Sequence, residues 1–406
     1  MMNIDSFKEA RQCLKGIIHE TNLVHSNYYS KVTGGQVYFK PENMQVTGAY
    51  KVRGAYYKVS KLSEEERAKG LVTASAGNHA QGVAYAAQAA GVKAVIVMPT
   101  TTPLVKVNNT KDLGAEVILK GGSFDECYEH ACTLVDERGM TMIHPFNDLT
   151  VATGQGTITY EILQDLPEVD IILAPIGGGG LVSGVATLAK LLKPNIQVIG
   201  VEPLGAASMK AAVDAGHIVT LPSAVTIADG VAVRTAGDLV LPYIQQNLDD
   251  IICIDDSDLV DAFLDLMEKH KMIVENAGLL SVAALNKMDL KGKNVVSILS
   301  GGNMDVITIS SLVQHGLINR GRVFALSVEL PDRPGELLGV AGVIAKQQGN
   351  IIKLEHNQFV SINRQSAVEL RVTMEAFGHE HKEEILNALK KAGYNAVQVE
   401  SNAVYG

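Results

Sequence analysis

Apolar runs rich in β-branched residues recur between residues 94 and 299, and they constrain the fold more than any other feature. Stretches with helical patterning separate each run from the next. Strands that alternate with helices indicate an α/β fold with mostly parallel sheets. Parallel strands covered on both faces read as nearly continuous apolar segments. The runs that have this character cover residues 94–98, 115–119, 171–174, 196–201 and 295–299.

The bulk properties exclude several classes of protein. The chain has 406 residues, of which 47% are hydrophobic and 19% charged, which suits two or three globular domains. Its net charge of −9, without a long basic run, gives no electrostatic footprint for nucleic acid. The cysteines have no zinc or redox spacing, and the N-terminus lacks the apolar core of a signal peptide. We therefore expect a cytoplasmic protein with reduced thiols and no membrane partner.

The order of elements changes near residue 320, where a polar, glycine-containing segment covers residues 316–322. After it, the patterns predict strand, helix, strand, strand, helix and strand over about 80 residues. This is the ferredoxin-like βαββαβ arrangement. We therefore expect one domain over residues 1–320 and a second over residues 321–406.

The first candidate for chemistry is Lys51 in the segment Thr47–Ala55, where Tyr50, Val52, Gly54 and Ala55 flank it. A single lysine is usually a solvated surface charge, but these neighbours suit burial at the start of a helix. Burial lowers the pKa of a lysine and makes its amine available for Schiff-base chemistry. Composition alone leaves both interpretations open.

Small residues at Ser75–Gly82 follow a short predicted strand, at a point where a helix is expected to begin. Backbone N–H groups at the start of a helix form a ready site for a carboxylate. The alternative is an ordinary helix start that Asn78 caps. His79 has no further ligand at metal-site spacing, so a structural role is its simpler interpretation.

Four consecutive glycines at positions 177–180 lie between an apolar run and a helical pattern. The uncharged stretch 171–189 has the length of a membrane span, but Pro175 and these glycines divide it into strand, loop and helix. Consecutive glycines expose N–H groups and admit a phosphate close to the backbone. The spacing is neither that of a dinucleotide fingerprint nor that of a nucleoside-triphosphate loop, and the buried flanks disfavour a linker.

Together these motifs resemble the fold-type II pyridoxal-phosphate enzymes and, among them, the threonine ammonia-lyases (threonine dehydratases). The resemblance implies two lobes built on parallel sheets, the smaller (residues from about 50 to 150) inserted in the larger, and pyridoxal 5′-phosphate as cofactor. It implies dehydration and deamination of L-threonine to 2-oxobutanoate and ammonia, with side activity on L-serine. It covers residues 20–320 and rests on the motifs Thr47–Ala55, Ser75–His79, His144–Asn147, Gly177–Leu181, Ala228–Gly230 and Ser300–Asn303.

The resemblance also implies a role for each motif. Lys51 holds the cofactor as a Schiff base and then removes the α-proton, and Ser75 is the second member of the catalytic set. Asn78 binds the ring hydroxyl, and Ser300 faces the ring nitrogen. The substrate carboxylate is expected to meet Ser75, Ala76, Gly77, Asn78 and His79, and the cofactor phosphate is expected to meet Gly177, Gly178, Gly179, Gly180 and Leu181.

The tail, at Asp332–Leu337 and Gly349–Ile351, resembles an ACT domain, a βαββαβ unit that binds amino acids. The resemblance implies allosteric regulation by an amino acid bound between Gly335 and Asn350. A glycine admits close approach to backbone N–H groups, and an asparagine can bond an ammonium or a carboxylate group. Because ACT units usually pair, a homodimer or homotetramer is expected.

Other interpretations stay open: a serine-preferring dehydratase or racemase, a catalytically inactive amino-acid sensor, and a dinucleotide-dependent oxidoreductase. The serine racemases that resemble this chain carry a second serine where Ala76 stands, and alanine has no proton to exchange. They also bind a divalent cation near Glu202, but Ser208 replaces an acidic ligand, and one carboxylate is a poor divalent site. No metal site is therefore predicted, and a monovalent ion near Glu202 stays open as the alternative.

Overall fold

Two compact units make up the chain in the computed structural model, which describes residues 1–357 and 368–399. The first unit is Met1–Asp305 and the second is Val306–Gly406. The boundary predicted near residue 320 falls after the first helix of the second unit, which covers Val306–Asn319. Within the described ranges, every helix is too short or too polar to span a bilayer.

Two sheets organise the first unit, and each predicted apolar run forms a strand of one of them. Its strands are β1 (Val24–His25), β2 (Gln36–Pro41), β3 (Leu71–Ala74), β4 (Ala94–Met98), β5 (Glu116–Leu119), β6 (Thr141–Met142), β7 (Ile171–Pro175), β8 (Gln197–Pro203), β9 (Asp250–Ile254) and β10 (Asn294–Leu299). The larger sheet has the order β1-β2-β10-β7-β8-β9 and is parallel except for the β1–β2 pair. The smaller sheet, β5-β4-β3-β6, is parallel throughout.

Helices alternate with these strands, and three of them begin at a motif that the sequence singled out: Lys51, Asn78 and Gly180. Gly91, with φ of +66°, ends the second of these three. The helices are α1 (Ile4–Leu14), α2 (Asn27–Thr33), α3 (Lys51–Ser60), α4 (Glu64–Ala68), α5 (Asn78–Ala90), α6 (Leu104–Asp112), α7 (Phe124–Arg138), α8 (Leu149–Gly156), α9 (Ile158–Asp165), α10 (Gly180–Leu192), α11 (Ser208–Ala215), α12 (Leu241–Asn247), α13 (Asp256–Asp265) and α14 (Asn276–Ala283).

Glycines let α8 pack against both α3 and α10 at very short distances. A Cβ atom added to Gly154 of α8 would lie 2.6 Å from the Cα atom of Gly54 in α3. One added to Gly184 of α10 would lie 2.1 Å from the carbonyl oxygen of Ala152. Since interiors are close-packed and transmit small displacements, this contact fixes the start of α3 relative to the start of α10.

The second unit has the ferredoxin-like arrangement that the sequence predicted. The helix α15 (Val306–Asn319) precedes β11 (Val323–Leu330), α16 (Glu336–Lys346), β12 (Asn350–Asn357), β13 (Val368–Glu375), α17 (His379–Lys391) and β14 (Asn395–Val399). The sheet order is β12-β13-β11-β14, with antiparallel neighbours throughout. Apolar side chains at alternate positions of β13 are buried, as expected for a sheet that is covered on one face by α16 and α17.

Candidate active site

One cavity in the first unit collects the residues that the sequence predicted for the catalytic domain. It has a volume of about 280 Å³ and lies where strands of both sheets end, because β3 leads to Ser75, β7 to Gly177 and β10 to Ser300. Ligands of open α/β sheets bind at the carboxyl ends of strands. The predicted residues that line the cavity are Lys51, Ser75, Ala76, Gly77, Asn78, His79, Gly177, Gly178, Gly179, Gly180, Leu181 and Ser300.

The Lys51 side chain lies in this cavity at the first residue of α3. Its Nζ atom donates a hydrogen bond to the Pro145 carbonyl over 2.8 Å. Burial lowers the pKa of Lys51 to about 8, although the nearby charge of Glu275 opposes the shift. The neutral, nucleophilic amine is therefore far more populated near neutral pH than it is in a solvated lysine.

A cluster of buried charges anchors the helix that carries Lys51. The guanidinium group of Arg53, which has no exposed surface, donates to the two carboxylate oxygens of Glu42 over 2.8 and 2.7 Å. It also donates to Glu161 on α9, which in turn accepts from the buried Lys40 of β2. Fork-shaped guanidinium–carboxylate pairs fix direction as well as distance. The cluster thus ties β2, α3 and α9 together two residues from Lys51.

The glycine loop has no room for side chains and leads directly into α10. A Cβ atom added to Gly178 would lie 2.1 Å from the Phe146 ring, and one added to Gly180 would lie 2.8 Å from the Phe146 carbonyl oxygen. Gly179 has φ of +97°, which favours glycine. The first N–H groups of a helix have no carbonyl partner within the helix, and this loop lines the cavity. This donor set fits the phosphate group of a cofactor.

A second loop leads from β3 into α5, which begins at Asn78. The Oγ atom of Ser75 accepts a hydrogen bond from the Gly77 N–H over 3.3 Å. Within the described part of the chain, and apart from the neighbours of Gly77 in sequence, no atom lies within 4 Å of a Cβ atom built on Gly77. The start of α5 therefore offers N–H donors beside open space, an arrangement that suits a carboxylate.

Two histidines near the cavity are neutral and bonded to the backbone. Nε2 of His79 lies 2.9 Å from the Ile143 carbonyl oxygen, to which it must donate, and burial lowers the pKa of His79 to about 3. Nδ1 of His144 accepts from the N–H groups of Phe146 and Asn147 over 3.2 and 2.9 Å, and burial lowers the pKa of His144 to about 4. Both rings therefore act as supports for the chain and carry no positive charge at neutral pH.

The loop after β10 meets the residues that precede α3. The Ser300 carbonyl accepts from the Tyr50 N–H over 3.1 Å, and the Gly302 N–H donates to the Gly48 carbonyl over 2.8 Å. Ser300 is buried, and it lines the cavity together with Lys51. These backbone bonds hold the two predicted residues in one wall although about 250 residues separate their motifs in the chain.

Sequence reasoning missed Glu275, a buried residue in the cavity wall. Burial raises the pKa of this carboxyl group to about 7, and Asp229 adds to the shift, whereas a hydrogen bond from Asn78 opposes it. That bond joins Asn78 Nδ2 and Glu275 Oε1 over 2.6 Å and spans 197 residues of sequence. The only signal in the sequence is a lone acidic residue directly after Ile273 and Val274.

Another buried carboxyl group, that of Glu202, lies in β8 of the larger sheet, outside this cavity. Its two oxygens accept from the N–H groups of Met209 and Lys210 over 2.9 and 2.8 Å, and burial raises its pKa to about 7. The Oγ atom of the adjacent Ser208 has no hydrogen-bond partner among the described residues. Across residues 1–357 and 368–399, no group of three or more His, Cys, Asp or Glu side chains could hold a metal ion.

The two residues predicted for regulation lie in the second unit. Gly335 has φ of +99° and directly precedes α16. Apart from its chain neighbours, no atom of residues 1–357 and 368–399 lies within 4 Å of a Cβ atom built on it. Asn350 is the first residue of β12, and its Nδ2 donates to Glu375 Oε2 over 2.7 Å across the sheet. Neither of the two residues lines the cavity of the first unit.

A family model described as pyridoxal-phosphate dependent enzyme matches residues 14–301, a span that contains every cavity residue named above. The chain belongs to this family. The cofactor of this pyridoxal-phosphate dependent enzyme is therefore pyridoxal phosphate, as its motifs predicted. The residues present fit the cofactor: a buried amine for its aldehyde and a glycine loop for its phosphate.

Relatives of this pyridoxal-phosphate dependent enzyme resemble it in sequence and in fold. An L-threonine ammonia-lyase of Thermotoga maritima is 43% identical over 395 residues, which cover 97% of this chain and 98% of that protein. The processed form of threonine deaminase isoform 2 from Solanum lycopersicum is 38% identical, with a TM-score of 0.72. The match covers 77% of this chain and 94% of the threonine deaminase chain. Maize serine racemase is 37% identical, with a TM-score of 0.73. The match covers 78% of this chain and 98% of the racemase chain. The fold-type II α/β architecture is thereby confirmed.

Proposed function

We propose that this pyridoxal-phosphate dependent enzyme is a threonine ammonia-lyase that converts L-threonine into 2-oxobutanoate and ammonia and also acts on L-serine. One observation carries the proposal: the buried Lys51 amine, with its pKa lowered to about 8, shares a cavity with a phosphate-suited glycine loop and a carboxylate-suited helix start. The relative from Thermotoga maritima, similar over nearly the whole chain, is named for this reaction.

Different residues of the cavity are proposed to bind the cofactor and the substrate. Lys51 would hold the cofactor through its ε-amine, and the same amine is the base that takes the α-proton of the substrate. Ser75 and the N–H groups at the start of α5 bind the substrate carboxylate, because that end of a helix favours negative charge. When bound, the cofactor ring supplies a sink for the electron pair left on the α-carbon. The proposed contacts to its phosphate come from Gly177, Gly178, Gly179, Gly180 and Leu181, and those to its ring from Asn78 and Ser300.

The reaction balances without an external oxidant or reductant. The substrate gives its α-proton to the Lys51 amine, and the Cα–Cβ double bond forms as the bond from the β-carbon to the hydroxyl oxygen breaks. The departing hydroxyl takes a proton from the Lys51 ammonium group and leaves as water. The released enamine takes up one water and yields 2-oxobutanoate and ammonia. Ser300 would offer the ring nitrogen a neutral hydroxyl group in place of a carboxylate, and the weaker electron sink that results would favour prompt elimination over transamination.

A keto-acid assay on L-threonine and L-serine, with pyridoxal phosphate added, tests the proposal. We expect the purified protein to be yellow and to release keto acid from both substrates, faster from L-threonine. A yellow protein that releases keto acid from neither would contradict the proposed reaction. A colourless protein that does not take up the cofactor would contradict the assigned site as well.

A serine racemase is the second candidate, because the maize enzyme shares the fold at 37% identity. Racemisation requires a proton donor on the face of the substrate opposite the base. Ala76, at the position where the racemases carry a serine, lines the cavity and has no proton to give. We therefore expect D-serine formation from L-serine to be negligible beside keto-acid release. Comparable rates of the two reactions would favour the racemase.

We further propose a catalytic domain over residues 1–320 and an ACT regulatory domain over residues 321–406, in a homodimer or homotetramer. The ferredoxin-like sheet and the open space at Gly335 support an amino-acid site. Because Nδ2 of Asn350 is engaged by Glu375, a ligand's ammonium group would meet its Oδ1. An effector must bind one catalytic state more tightly, with coupling of about 1–3 kcal/mol.

Truncation after Arg322 tests this regulatory proposal. We expect the shortened enzyme to release keto acid from L-threonine and to lose its response to isoleucine, valine or another amino acid that changes the rate of the full-length enzyme. A full-length enzyme that responds to no amino acid, or a shortened one that still responds, would contradict the regulatory assignment.

A further inference from the structure

A chain of three side chains runs along the wall of the cavity and ends at Glu275. The Asn303 amide donates to the Thr47 carbonyl and to Oδ1 of Asn78, each over 2.8 Å. Nδ2 of Asn78 in turn donates to Oε1 of Glu275 over 2.6 Å. Asn78 and Glu275 both line the cavity, so the chain lies where the cofactor ring is proposed to bind.

The hydrogen-bond partners at the two ends of this series of side chains fix the orientation of each amide group. A backbone carbonyl accepts only, so Asn303 must direct its NH₂ group towards Thr47 and Asn78. Asn78 must then present its oxygen to Asn303 and its NH₂ group to the carboxyl group of Glu275. Of the two N–H groups on Asn78, Glu275 takes one, and the other remains as a donor for a ligand.

Two glycines leave the space that the three hydrogen-bonded side chains occupy. This close packing is independent evidence that the three side chains adopt one defined arrangement. A Cβ atom added to Gly301 would lie 2.4 Å from Glu275 Oε1 and 3.0 Å from Asn78 Nδ2. One added to Gly48, which has φ of +72°, would lie 2.5 Å from Oδ1 of Asn303. The Glu275 N–H also donates to the Gly301 carbonyl over 3.0 Å. Any other residue at either glycine would displace a member of the chain.

Burial and the charges around Glu275 bring the pKa of its carboxyl group close to neutral pH. Burial and then Asp229 raise its pKa to about 7, while the hydrogen bond from Asn78 and the charges of Lys106 and Lys51 oppose the shift. Both forms are therefore populated near neutral pH. In either form an oxygen accepts from Asn78, and the ionised form accepts more strongly.

We propose that Glu275 is a positioning residue for the cofactor: together with Asn303 it orients the Asn78 amide so that the remaining N–H donates to the ring hydroxyl oxygen. This inference rests on the proposed function, because it needs the ring to bind beside Asn78 in this cavity. In this role Glu275 contacts no reacting atom and acts only through Asn78.

Equilibrium dialysis of the cofactor-free protein against pyridoxal phosphate measures the effect as a dissociation constant. We expect Glu275→Ala to weaken binding about tenfold, the size of one hydrogen bond to a charged group. Glu275→Gln is the matched control, because its carbonyl oxygen can accept the same N–H, and it should restore binding to near the wild-type value. Asn303→Ala should weaken binding in the same way as Glu275→Ala.

A double-mutant cycle separates positioning from a general structural effect. In an Asn78→Ala background, Glu275→Ala should cause no further loss of affinity, because the group through which it acts is gone. An analogue of pyridoxal phosphate without the ring hydroxyl should bind to the wild type and to Glu275→Ala equally. Should Glu275→Ala fail to fold, Asn303→Ala serves in both comparisons.

The outcomes distinguish this inference from the proposed function. An equal loss of affinity in both backgrounds, a failure of Glu275→Gln to restore binding, or a loss that persists with the analogue would overturn the positioning role. Wild-type protein that does not bind pyridoxal phosphate would instead overturn the proposed function.

Discussion

Two helices, one in each unit, begin directly after a glycine with positive φ, but the packing around the two glycines differs. Gly179 precedes α10 with φ of +97°, and Gly335 precedes α16 with φ of +99°. A Cβ atom built on Gly179 would lie 2.4 Å from the Met209 side chain and 2.8 Å from that of Ile244. At Gly335, none of the described residues other than its chain neighbours has an atom within 4 Å of an added Cβ atom.

The difference shows that a local pattern predicts backbone conformation without predicting enclosure. In both cases the chain turns from a strand into a helix, and glycine meets the positive φ that the turn requires. At Gly179 the surrounding core excludes side chains and presents N–H groups to a buried cavity. At Gly335 the same turn is left open, which suits a reversible ligand and does not suit a desolvated reaction.

The largest expected effect follows from placing the chemistry in the enclosed cavity. Lys51→Ala should lower keto-acid release from L-threonine by at least about 10³-fold, because both the covalent attachment and the general base are lost. Borohydride treatment of the wild type should fix the cofactor on the peptide that contains Lys51, and the variant should retain none.

Lys61→Ala, at the exposed end of the same helix, is the control for Lys51→Ala. It should leave the rate and the borohydride labelling unchanged. Label found on another lysine of the wild type would show that the assignment of Lys51 is wrong.

The two glycines should respond differently to the same substitution. Gly179→Ala adds a steric clash of about 1–3 kcal/mol to a backbone strain of about 1–2 kcal/mol, so the free energy of unfolding should fall by about 2–5 kcal/mol. Gly335→Ala adds only the strain, about 1–2 kcal/mol. Denaturant unfolding followed by circular dichroism measures both changes.

Gly216→Ala tests whether enclosure, and not the choice of unit, causes the difference. Gly216 lies in the first unit with φ of +77°. Like Gly335, it has no described residue, its chain neighbours excepted, within 4 Å of an added Cβ atom. We expect it to behave like Gly335→Ala. If Gly179→Ala costs no more than these two, the packing argument at Gly179 fails.

The elements and loops of the catalytic region were largely predictable because their signals are local. Apolar runs identified the strands, and the motifs at Lys51, Asn78 and Gly180 proved to be helix starts at the ends of strands or loops. The resemblance to fold-type II enzymes, and not strand geometry, implied that motifs far apart in sequence would bind one cofactor together.

The side-chain contacts between distant segments were not predictable from the same signals. Glu275 meets Asn78 across 197 residues, and Arg53 meets Glu161 across 108 residues. A buried charge is stable only with a partner, but neither local composition nor spacing identifies that partner. The residues that orient the predicted motifs can therefore be identified only from the folded structure.

Enclosure of Lys51 also predicts a smaller effect, on the pH dependence of stability of the cofactor-free protein. The pKa of Lys51 is about 8 in the folded protein, against 10.5 for an unperturbed lysine, so the unfolded chain binds this proton more tightly. The free energy of unfolding should therefore rise with pH between about 8 and 10.5, and by about 1 kcal/mol between pH 7 and 9. Lys51→Met, similar in length and without a titratable group, should lack this rise. Urea unfolding of both proteins at the two pH values measures the difference, and parallel changes would show that the amine is solvated when the cofactor is absent.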